Sequence, residues 1–132
     1  MMNLENIETI KKLYSEFRKE CERVAHILGD LKFDPKFKDI QLCNFWEIDS
    51  EKDEVYGSIC YPGEDIDTYS FPSSYLSLSD EDLREIVDEK IRNYKEAIEE
   101  KKRRDKLQTE AKIREKEIAE LKRLREKYGD NI

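Results

Sequence analysis

A chain of 132 residues holds one domain and hardly two. Charged residues make up 43% and hydrophobic residues 37%, which points away from a large all-round core and toward a small packed body with one or more long solvated helices, while four Gly and three Pro exclude collagen-like and Pro/Gly low-complexity classes. The formal net charge of −7 argues against nucleic-acid binding by the chain as a whole.

The first predicted element is a helix over residues 4–28. Ile7, Ile10, Tyr14, Phe17, Cys21, Val24, Leu28 and Leu31 recur at alternating spacings of three and four, so they share one face. Leu13, Ala25 and Ile27 widen that seam. Gly29 suits the C′ position, and Pro35 forbids continuation soon after. The seam fits a helix lying on a sheet, with self-association as the other use of such a face.

Residues 40–71 read as three strands. In the first, Ile40, Leu42, Trp46 and Ile48 alternate with Gln41, Cys43, Phe45 and Glu47. The polar segment 49–54 is the first turn, Val55–Tyr61 the second strand, Pro62-Gly63 the next turn and Ile66–Phe71 the third strand. Connections this short predict an antiparallel meander. A symmetric first hairpin sets Trp46 against Gly57, Ile48 against Val55, Leu42 against Tyr61 and Cys43 against Cys60. Ile66 is expected on the Trp46 face under the first helix. The other face then holds Cys43, Phe45, Tyr56, Cys60, Tyr69 and Phe71.

Ser79 reads as an N-cap, with Asp80, Glu81 and Asp82 in the first turn and Leu78 placed to staple onto Leu83. No Gly or Pro follows until Gly129. A single helix from about residue 80 to Tyr128 would be roughly 73 Å long, against a body about 30 Å across. The expected fold is therefore α+β, in the order α-β-β-β-α. A compact acidic body spans 1–98, and a basic helical arm spans 99–132, continuous with the body's last helix.

The charge splits near the same place. Residues 1–100 carry 13 Lys/Arg against 25 Asp/Glu, a net −12, whereas residues 101–128 carry 12 against 6, a net +6. The helix's apolar residues also fall into two sets. Leu83, Val87, Ile91, Tyr94 and Ile98 form one. Leu107, Ala111, Ile118, Leu121 and Tyr128 form the other, with Ile113 and Leu124 to one side. Nine residues from Ile98 to Leu107 turn a straight helix through about 900°, which leaves the stripes about 180° apart. The second stripe is thus expected to meet another chain, as a weak coiled coil with Arg114 and Arg125 at seam positions. A dimer is the simplest such oligomer.

The same residues suggest three kinds of function. Asp49, Glu51, Asp53, Glu54, Glu64, Asp65 and Asp67 cluster in two hairpin loops, as carboxylates that could mimic phosphates toward a protein partner. The lysine-, isoleucine- and glutamate-heavy composition resembles that of low-GC phage proteins. That resemblance implies an inhibitor or adaptor of the phage type, directed at host or defence proteins. A second class uses Lys101, Lys102, Arg103, Arg104 and Lys106 as phosphate contacts to nucleic acid, with few aromatics nearby for stacking. A third, enzymatic class would need a pocket lined by Cys43, Tyr56, Cys60 and Tyr69. There is no P-loop, G-x-G-x-x-G, H-E-x-x-H or G-x-S-x-G, so no enzyme and no cofactor are expected. A Cys21/His26/Cys43/Cys60 metal set would draw on both faces of the sheet, so no metal is expected either. The sparse, odd cysteines, the absence of an apolar run of eighteen residues and an N-terminus without a basic-then-apolar leader suggest a cytoplasmic, non-membrane protein.

Overall fold

The computed structural model describes residues 1–60 and 67–129. The chain divides into two units, Met1–Ile91 and Arg92–Ile132. The element order is α1 (Leu4–Leu28), a 3-10 turn (Ile40–Leu42), β1 (Phe45–Asp49), β2 (Glu54–Ile59), β3 (Asp67–Pro72), a second 3-10 turn (Ser73–Ser77) and α2 (Asp80–Tyr128). This is the expected α+β order, with three antiparallel strands arranged β1-β2-β3.

Helix α1 starts where Asn3 accepts the Asn6 N–H through its side chain at 2.8 Å. Gly29 caps its far end in right-handed geometry, φ −61°, not in the left-handed form expected of a C′ glycine. An added Cβ would meet Gln41 Oε1, the far end of an exposed side chain that can swing aside, and would lie 3.3 Å from the Ala25 carbonyl oxygen, so neither conformation nor space demands the glycine.

From Leu28 to Cys43 the chain runs through successive three-residue turns. The N–H groups of Leu31, Asp34, Phe37, Ile40 and Cys43 each donate to the carbonyl three residues back. Side chains three apart eclipse in such geometry. Leu28, Leu31, Phe37, Ile40 and Cys43 are accordingly all buried. The period-two reading of residues 40–43 therefore fails. The first strand begins only at Phe45, and Leu42 is exposed.

The hairpin register matches expectation within the strands, with Trp46 opposite Gly57 and Ile48 opposite Val55. The ladder does not reach the Cys43/Cys60 level. There the Asn44 side chain binds the Cys60 backbone, accepting its N–H at 3.1 Å and donating to its carbonyl at 3.4 Å. The second register sets Phe71 opposite Val55 and Tyr69 opposite Gly57. Both aromatics thus share the Trp46 face, which corrects their expected placement on the opposite one. The outer face carries Glu47, Tyr56, Ser58, Thr68 and Ser70, with Phe45 the large apolar exception. Ile66 and Tyr61 lie outside the described residues.

One core forms on the Trp46 face. Cys21, Val24, Ala25, Ile27 and Leu28 of α1 meet Trp46, Val55, Ile59 and Phe71 of the sheet, and Leu83 and Val87 of α2 join them. Ser79 Oγ accepts the Asp82 N–H at 3.1 Å, the expected N-cap. Arg23 binds Asp80 at 2.7 Å and the carbonyls of Leu78 and Leu76 at 3.0 and 3.3 Å, which ties α1 to the chain entering α2. Arg84 and Asp30 form a second ion pair.

Candidate protein-binding surfaces

The α1 seam is buried over only part of its length. Cys21, Val24 and Leu28 lie in the core and Phe17 at its margin, but Leu4, Ile7, Ile10, Leu13 and Tyr14 are exposed. Lengths explain this. A helix of 25 residues runs about 37 Å, whereas a strand of six spans about 20 Å. The helix therefore outruns the sheet it covers. Ile10, Leu13, Tyr14 and Phe17 form one wall of an open apolar groove of about 470 Å³. Phe45, Trp46, Glu47 and Ile48 of β1 form the other wall. Among the described residues β1 is an edge strand, bonded to β2 alone. Sequence reasoning missed this groove, although the helix and strand lengths were already its signal.

The arm's residues are placed as follows. Leu107, Ala111, Ile118, Leu121 and Tyr128 lie on one uninterrupted helix and are all exposed, the four larger ones by 47–60%. Leu124 is half-buried. Lys101, Lys102, Arg103, Arg104 and Lys106 are exposed too. Two of these five are engaged locally, with Arg103 and Arg104 at 3.3 and 3.8 Å from Glu100. Further along, Arg123 sits 2.6 Å from Glu120 and holds that carboxyl below its ordinary range.

The acidic residues are only partly free to meet a partner. Asp49 Oδ1 accepts the Glu51 and Lys52 N–H groups at 3.0 and 3.2 Å, so it builds the turn. Asp53 takes a left-handed conformation, φ 52°, and its carbonyl accepts the Ser73 N–H at 2.8 Å. Glu54 accepts the Tyr56 hydroxyl at 2.7 Å, and this bond raises the phenol's pKa. Glu51 and Asp67 are exposed. Glu64 and Asp65 lie outside the described residues.

The four residues of the enzymatic reading do not come together. Tyr56 and Tyr69 point to opposite faces, and Cys43 is buried in the core. Burial pushes the Cys21 thiol up to about 12 and the Cys43 thiol up to about 11, which makes both inert. Cys60 is exposed, and all three cysteines are free thiols. Among the described residues no three His, Cys, Asp or Glu side chains are placed to share a metal ion, and no helix is long and apolar enough to cross a membrane. Comparison with known proteins returns no matching family model, no similar curated protein and no similar solved structure.

Proposed function

We propose that this chain is a non-enzymatic protein-binding module, an adaptor or inhibitor, that self-associates through residues 107–128. One observation carries the reading: a stripe of Leu107, Ala111, Ile118, Leu121 and Tyr128 stands exposed along a helix that nothing interrupts. Complete burial of a Leu or Ile is worth about 1.5–3 kcal/mol. About half of each is still exposed, so each adds about 1 kcal/mol on association. The four larger residues of two chains give about 8 kcal/mol, which lies within the association cost of about 4–15 kcal/mol, so the stripe supports weak association only. The result is a weak dimer whose population follows concentration. The acidic β1–β2 turn, with Glu51 at its tip, is the surface offered to a separate, basic protein partner. The formal net charge of −7 weighs against nucleic acid as that partner.

Sedimentation velocity over a wide range of full-chain concentrations tests the proposal. The chain should pass from monomer to dimer, and Ile118→Glu should remain monomeric with unchanged helix content. A full chain that stays monomeric throughout refutes it.

A further inference from the structure

We infer that the α1–β1 groove takes an extended segment of a basic protein partner, one that alternates apolar with basic residues and adds a fourth strand to the sheet beside β1. The inference rests on the protein-binding reading above and supplies the chemistry of the partner.

The apolar side of the sheet stops abruptly at β1. Ile48 and Val55 lie opposite each other on the α1 side, yet Val55 is fully buried and Ile48 is 53% exposed. Across the groove Ile10, Leu13 and Tyr14 of α1 are exposed as well. Among the described residues no strand pairs with the free edge of β1. Its outward N–H and C=O groups are therefore available to a strand about 4.8 Å further out. A segment there would bond those groups and send every second side chain into the groove, between Ile48 and the α1 wall.

The two faces of that segment need different residues. On the groove side it meets Leu13, Tyr14, Trp46 and Ile48, which suit aliphatic side chains. On the opposite face it runs beside Glu47 and Asp49, with Glu51 in the turn beyond. Among the described residues none of these three carboxylates is in an ion pair. Opposite charges on neighbouring strands attract and like charges repel, so Lys or Arg belongs on this face. The same rule disfavours the β1 of a second copy, which would bring its own Glu47 and Asp49 to that face.

Fluorescence anisotropy with the full chain and labelled peptides at about 50 mM salt tests this. The probe is Lys-Val-Lys-Ile-Lys-Val-Lys, capped at both ends. The control, Lys-Lys-Val-Ile-Val-Lys-Lys, has the same composition without the alternation. The probe should bind, and the control should bind about tenfold more weakly, since it cannot send its aliphatic residues to one face. Leu13, Glu47 and Ile48 are exposed, so substitutions there leave the fold intact. Leu13→Gln and Ile48→Thr should each weaken probe binding about fivefold, and Glu47→Lys by a similar factor. Methylating backbone nitrogens of the probe, either at its aliphatic residues or at its inner lysines, tests for the added strand. One methylated peptide should lose binding and the other keep it, because only alternate N–H groups face β1. If both bind like the probe, if the control binds as well as the probe, or if Leu13→Gln and Ile48→Thr bind like wild type, charge alone holds the peptide. The inference then fails while the acidic turn keeps its proposed role. A probe that does not bind also overturns it. Sedimentation reads self-association separately: Leu13→Gln should dimerise like wild type, so failure of the groove leaves the role of residues 107–128 intact.

Discussion

Gly57 is the position where one added carbon should do most harm. It sits in β2 opposite Trp46, with no left-handed backbone to explain it. An added Cβ would lie 2.8 Å from both Cε3 and Cη2 of the indole, and closer still to Cζ3. The indole cannot retreat. It is 2% exposed and leans on Phe71 at 6.0 Å between ring centroids, with Phe71 in turn stacked on Tyr75. Two effects oppose each other in Gly57→Ala. Lost chain entropy favours alanine in a strand by about 0.5–1 kcal/mol. Overpacking a tight core costs about 1–3 kcal/mol, and contacts this short sit at the upper end. The net expectation is a loss of about 1–2 kcal/mol, or about 5–15 °C in Tm for a unit of this size. Urea unfolding followed by far-UV circular dichroism measures it. Trp46→Phe shortens the clashing ring. The alanine penalty should therefore shrink in that background, with a coupling of about 0.5–3 kcal/mol. If Gly57→Ala unfolds at the same or a higher urea midpoint than wild type, the cross-strand packing argument is wrong.

Two further outcomes follow from the core. Arg23→Ala should cost about 1–2 kcal/mol in urea unfolding, because it leaves the Leu76 and Leu78 carbonyls and Asp80 without their donor, and Arg23→Lys should recover less than half, lacking the fork. Thiol titration at neutral pH should label Cys60 alone, with Cys21 and Cys43 reacting after unfolding. Because folding raises both buried thiols above their ordinary 9.0, they favour the fold fully below pH 9.0, and this contribution drains as pH climbs through about 11 and about 12. Thermal scans should show that loss, and Cys21→Ala with Cys43→Ala should flatten it.

Periodicity and capping made the two helices legible. The 3-4 spacing from Ile7 to Leu28 and the Ser79 cap gave α1 and the start of α2 to within a residue. The Trp46–Gly57 level was legible because an indole needs room that glycine leaves. Residues 28–43 misled because Ile40 and Leu42 mimic strand alternation, while the real period of three passes through polar Asp34 and so escapes an apolar count. Tyr69 and Phe71 were assigned to the wrong face because a one-residue change of register exchanges faces along a strand. The arm residues were legible as a stripe. Their occupant was not, because a stripe specifies the shape of a partner surface without naming it.

Helix α1 also grades the local free energy of unfolding along one continuous element. Its C-terminal turns are fastened by the core, so opening them requires opening the whole fold. From Leu13 back toward Leu4 no buried side chain holds the turns down, and they persist by extension from the anchored part and by the Asn3 cap. That end therefore frays at a small fraction of the global cost, and the fraying is local in the sense of a subglobal opening. Whatever binds there both covers the apolar side chains and suppresses the fraying, so binding at the free end is coupled to helix order in a segment the core does not control.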